Sequence, residues 1–90
     1  MKHLKLYEEF IAEQVSPEAL YIHNIVGSGQ NATQDFIDEF GIDGKKLADY
    51  VKAQKGTKEI YDIRDYISGA KGTVGAEPKL RKSFIKRFKK

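Results

Sequence analysis

Apolar positions recur along this chain at helical spacing, in blocks separated by glycine, proline and small polar residues. In the first block Leu4, Tyr7, Ile11 and Val15 fall at i, i+3, i+7 and i+11, widened by Leu6 and Phe10. Glu8, Glu9 and Glu13 take the other face. Ser16-Pro17-Glu18 is a helix start: a hydroxyl to cap free amides, a proline at the first helical position where no N–H is needed, and an acid in the first turn. The next block is ambiguous. The run from Ala19 to Val26 continues as a helix from that cap, yet Leu20-Tyr21-Ile22-His23-Asn24-Ile25-Val26 is rich in strand formers. A short strand near residues 20–26 is therefore the competing reading.

Gly27-Ser28-Gly29-Gln30-Asn31 is the clearest break and reads as a flexible connection. Asn31 or Thr33 can cap a helix that runs to Phe40 and buries Phe36, Ile37 and Phe40, with Gly41 as a left-handed stop. Asp43 then caps a helix from Gly44 to about Lys55, with Leu47, Tyr50 and Val51 inward and Gly56 ending it. Thr57 caps the next, in which Ile60, Ile63 and Ile67 repeat at i, i+3 and i+7 and Gly69 closes the run. Pro78 opens a last helix. The pattern predicts an all-α protein, a single small domain of about five short helices. It divides into a helical body over 1–69, a glycine-containing linker over 70–77 and a basic amphipathic helix over 78–90.

Charge changes this picture. The last thirteen residues hold seven basic side chains and no acidic one, whereas the preceding seventy-seven hold nine basic and thirteen acidic groups. A body of net −4 thus carries a tail of +7, giving the chain its +3. Such segregation points to an anionic partner, because a block of like charge attracts phosphate or an acidic protein face. On a helical wheel Leu80, Phe84, Ile85 and Phe88 share one arc, and every basic group except Arg81 lies on the rest. Leu80, Phe84 and Phe88 are the expected anchors of this helix. Lys79, Arg81, Lys82, Lys86, Arg87, Lys89 and Lys90 are the candidate contacts to nucleic acid or an acidic partner.

Other chemistries find little support. Without cysteine there is neither a disulfide framework nor a thiolate metal site. His3 and His23 stand too far apart in sequence for a zinc-binding motif, so no metal and no cofactor is expected. Gly27-Ser28-Gly29 lacks the further glycines and the lysine of a phosphate-cradling loop. Ser28 and Ser83 have no base placed beside them by any motif, and the carboxylate pairs Glu8/Glu9 and Asp38/Glu39 fall on exposed faces. Tyr7, Tyr21, Tyr50, Tyr61 and Tyr66 lie on or beside the apolar stripes and read as core or rim. Helix, Gly41-Ile42-Asp43-Gly44, helix has helix-turn-helix spacing, but the second helix would present Asp43 and Asp49 beside Lys45, Lys46 and Lys52. An ordinary helical corner is the simpler reading. No enzyme is expected. No apolar run is long enough to span a membrane, and in ninety residues the core is small enough that a homodimer would add stability.

The stretch Met1-Lys2-His3-Leu4-Lys5-Leu6-Tyr7-Glu8-Glu9-Phe10-Ile11-Ala12-Glu13 resembles the start of internal head proteins of T-even-type tailed bacteriophages. Those proteins begin with a short amphipathic capsid-targeting helix containing an aromatic, an acid and Phe-Ile-Ala-Glu. The resemblance implies cleavage after Glu13, in the sequence Ile11-Ala12-Glu13, by a prohead protease. It also implies a place in the virion interior or the host cytoplasm. Two roles follow as expectations: association with nucleic acid through the basic C-terminal helix, or binding of one bacterial protein as a host-takeover or counter-defence factor.

Overall fold

Helix α1 (Pro17–Val26) starts where the Ser16-Pro17 signal places it, with the Ser16 hydroxyl accepting a hydrogen bond from Ala19 N–H at 3.1 Å. The structure, a computed structural model, describes residues 15–90, so the first predicted helix and Glu13 lie outside the described residues. α1 corrects the competing strand over 20–26. Its buried residues are Ala19, Ile22 and Val26, at i, i+3 and i+7. A strand would have put Leu20, Ile22, Asn24 and Val26 on one face, burying an amide and exposing Ala19. The 3.6-residue period is the one that separates apolar from polar here.

The glycine break after α1 is wired, not loose. Gly27 takes the left-handed conformation (φ 74°) and returns its amide to His23 O at 2.7 Å. Gly29 (φ 92°) then donates its N–H to His23 Nδ1 at 2.9 Å, which leaves that nitrogen as the acceptor and the proton on Nε2. Helix α2 (Gln30–Phe40) starts earlier than Asn31 or Thr33 would have set it. Thr33 is buried in its first turns, donating to Gly29 O at 2.6 Å. Having one proton to give, Thr33 can only accept from the Ser28 hydroxyl 2.6 Å away. Ser28 is thus a structural donor in a satisfied turn.

Helix α3 (Gly44–Ala53) is capped by Asp43, whose carboxylate accepts from Lys46 N–H at 3.2 Å. Helix α4 (Glu59–Ser68) takes a hydroxyl from Thr57, which accepts from Glu59 N–H at 3.3 Å. A single 3₁₀ turn (Val74–Ala76) and helix α5 (Pro78–Phe88) complete the element order. α1 packs against α2, α3 and α4, while α2 and α3 meet mainly through it. Ile22, Val26, Phe36, Ile42, Leu47, Val51, Ile63, Ile67, Phe84 and Phe88 form one buried cluster. Among the described residues no helix is long and apolar enough to cross a membrane. No sheet forms among them, but one isolated antiparallel bridge pairs Ile42 with Lys89.

The segment 70–77, read from sequence as a linker, is folded onto the body. Its 3₁₀ turn lies against α4, and Gly75 is buried there because its backbone rests directly on the last turn of α4. A Cβ at this position would overlap the Asp65 carbonyl and crowd Tyr66 N. Gly75→Ala is therefore expected to destabilise the protein by about 3 kcal/mol, the upper end for overpacking into fixed backbone. Gly27→Ala, which meets no neighbour, is expected to cost only the left-handed penalty of about 1 kcal/mol. Urea unfolding midpoints of the two variants check the contrast.

Candidate nucleic-acid interface

Helix α5 divides its surface by period. Phe84 and Phe88 recur at i and i+4 and are buried at 7% and 2% exposure. Their rings join an aromatic cluster: Phe84 stacks on Tyr66 (centroids 4.6 Å, 20° between planes), and Phe88 lies 5.0 Å from Phe84 and 5.1 Å from Tyr50. Such contacts add about 0.5–1.5 kcal/mol each beyond area burial. The end of the helix is stitched to the α2–α3 turn. Asp43 N–H donates to Phe88 O at 2.7 Å, and Lys90 N–H donates to Gly41 O at 3.0 Å. The basic segment is an integral wall of the domain.

That docking fixes which cations reach solvent. Lys79, Lys82 and Lys86 fall at i, i+3 and i+7 on the outer face, followed by Lys89 and Lys90 in extended backbone, and all five are exposed. At 1.5 Å per residue the ridge from Lys79 to Lys89 is about 15 Å long. The one ion pair among the described residues joins Arg64 to Asp65 at 3.8 Å. None of these lysines therefore has a carboxylate partner within the described fold. Beside the ridge runs an open groove of about 770 Å³, floored by Phe40, Pro78 and Ile85 and rimmed by Arg81, Lys82, Lys86 and Lys89.

Three residues depart from their expected places. Leu80, predicted as an anchor, is 49% exposed. The arc that α5 turns inward runs through Phe84, Phe88 and Arg81 to Ile85, and this leaves Leu80 beyond its outer edge. Arg81, predicted as a phosphate contact, faces the body instead. Its Nε donates to Tyr66 O at 2.8 Å, so a cation caps the carbonyl end of α4. Its guanidinium lies over Phe40 and Phe36, at 5.2 and 5.6 Å from the ring centroids. Arg87 stacks on Tyr50 at 4.4 Å and, although exposed, lies on the flank of the helix beside Leu80, off the lysine ridge. The signal for Arg81 was its position as the one cation on the apolar arc. The groove gave no signal, since it arises only where the end of α2 meets α5.

The other candidates are settled locally. Leu47 is buried and Lys45, Lys46, Asp49 and Lys52 are exposed, but the α2–α3 turn is covered by residues 88–90 and Asp43 is spent on its cap. The helix-turn-helix likeness ends at spacing. No three His, Asp or Glu side chains among the described residues converge as a metal site. Comparison of the chain with protein-family models, curated proteins and solved structures finds no match.

Two predictions follow from this geometry. Arg81→Ala should lower stability by about 1–3 kcal/mol, since it leaves Tyr66 O unpaired and uncovers two rings, whereas Lys82→Ala should change it by less than about 0.5 kcal/mol. Chemical denaturation of the pair measures the difference. Burial, then the charges of Asp62 and Glu59, raises the Tyr66 pKa above its ordinary 10.0. The fold favours the neutral phenol, so its contribution is full below pH 10.0 and declines as pH rises through the folded-state value. Tyr66→Phe should flatten that alkaline decline in a stability–pH profile.

Proposed function

We propose that this protein is a non-enzymatic accessory factor that associates with nucleic acid through the lysine ridge of α5. The observation that carries the reading is the ridge itself: Lys79, Lys82 and Lys86 on one helix face, continued by Lys89 and Lys90, exposed and without an acidic partner among the described residues. Backbone contact by such a ridge is electrostatic and insensitive to sequence, and its affinity comes largely from counterion release. Arg81 and Arg87, engaged with rings and a carbonyl, take supporting roles. The resemblance of residues 1–13 to phage capsid-targeting leaders agrees with a DNA-associated place inside a virion, with Glu13 as the processing residue.

The apolar floor of Phe40, Pro78 and Ile85 beside the ridge favours a second reading, in which an acidic amphipathic helix of a bacterial protein docks there. Charge and apolar surface then act together, and Ile85→Ala, which removes apolar floor without changing charge, would weaken the partner while leaving nucleic-acid affinity nearly unchanged.

The test uses the full chain. Removing residues 79–90 would strip Phe84 and Phe88 from the core, so that truncation is expected to abolish cooperative unfolding and reveal nothing about binding. Fluorescence anisotropy with a short labelled DNA duplex should instead give a slope of log affinity against log salt of about −3 to −4, at about 0.9 per phosphate engaged. Lys82→Gln with Lys86→Gln should reduce that slope by about two units. Equal binding by wild type and the double variant, or no binding at low salt, would reject the nucleic-acid reading.

A further inference from the structure

A second basic surface lies away from the α5 ridge, where the end of α1 meets the start of α4. We propose that this groove binds the unpaired bases of single-stranded nucleic acid, with Tyr61 and Tyr21 as stacking faces and Lys55 and Lys58 as phosphate contacts. The inference rests on the nucleic-acid reading of α5 and deepens it by naming the strand form.

The groove has a volume of about 890 Å³, and Ile25, Val26 and Ile60 line it together with the two tyrosines. Tyr61 is 60% exposed and Tyr21 39%, and both are among the few large apolar side chains that the fold leaves in water. A lone exposed aromatic needs no explanation. Two of them flanking one apolar floor make a continuous surface suited to planar ligands.

Charge selects the ligand. Lys55 and Lys58 line the groove and no carboxylate does, although acidic groups outnumber basic ones in the chain before the tail. Arg64, paired with Asp65 at 3.8 Å and outside the groove lining, lies over the Tyr61 ring, 5.6 Å from its centroid. Between the lysines Gly56 turns through φ 85° with nothing packed on it, so the loop that carries them stands clear of the core. Aromatic faces interleaved with cations along an open groove are what a single strand requires: each base has a π-face, and each phosphate a charge. A duplex cannot use the tyrosines, because its bases are already stacked on one another.

The test compares labelled oligothymidine with a duplex of the same length, by anisotropy, for the full chain and three variants. Expected are tighter binding of the single strand at equal salt and a loss of about tenfold or more for Tyr21→Ala/Tyr61→Ala on the single strand alone. Its salt slope should be unchanged, and Tyr61→Phe should bind as wild type. The chain has five tyrosines and no tryptophan, so quenching of tyrosine emission by the oligonucleotide reports stacking directly. Because Tyr61 is mostly solvent-exposed, circular dichroism should show its variants folded.

The third variant, Lys82→Gln/Lys86→Gln, separates the two failures. If it weakens both strand forms while the tyrosine variant binds the single strand as wild type does, the groove inference is overturned and the ridge stands. If duplex binds at least as tightly as single strand, the groove inference is likewise overturned. If wild type binds neither form, both readings fall. A groove filled by an acidic peptide would then appear as tyrosine quenching by polyglutamate without quenching by oligothymidine.

Discussion

The most charged segment of this protein also carries two of its largest core side chains, and the rest of the structure depends on burying them without burying charge. Phe84 and Phe88 can enter the aromatic cluster only if α5 lies along the body in one rotational setting. That setting turns Lys79, Lys82 and Lys86 outward together. Desolvating an unpaired lysine would cost several kcal/mol, so the same energetics that draw the phenylalanines in hold the ammonium groups out. The exposed ridge is a consequence of core formation, and its spacing is fixed by the helix.

Arg81 is the one cation on the inward arc, and the fold accommodates it by supplying everything a guanidinium can use. A free carbonyl at the end of α4 accepts its Nε–H, and the faces of Phe36 and Phe40 cover its plane. This arrangement is possible because Gly75 lets the preceding segment lie flat on α4, which brings Arg81 in the first turn of α5 against Tyr66 O and Gly69. Glycine, carbonyl and guanidinium thus form one layered joint between α4 and α5. What looks like a tether between two parts of the chain is a packed hinge point with little freedom.

Much of this was legible in the residues themselves. Ser16 and Asp43 announce their caps, Gly41 and Gly69 the ends of their helices, and Ile63, Ile67, Phe84 and Phe88 their inward faces, because each depends on chemistry within one helical turn. What could not be read depends on partners distant in sequence. Local propensity left residues 20–26 poised between helix and strand, and the packing of Ala19, Ile22 and Val26 against α2, α3 and α4 selects the helix. A glycine-containing segment has the same composition whether loose or pressed onto a helix, so Gly75 gave no warning. Leu80 and Arg81 differ by one position on the wheel, and which of them faces inward is set by the rings and carbonyl they meet. The two tyrosines of the α1–α4 groove read as rim from sequence; that they line one groove is a fact of topology.

The bridge between Ile42 and Lys89 has a thermodynamic consequence for any ligand of α5. A basic tail in free solution must be ordered when it binds, and coupled folding typically consumes about 2–5 kcal/mol of the gross interaction energy. Here the helix is already formed, its phenylalanines seated and its end sewn to the α2–α3 turn. That entropy is spent when the domain folds, before any partner arrives. Any ligand of the ridge would therefore meet a preformed helix, which favours a partner whose charges repeat at matching intervals over one around which the segment would have to wrap.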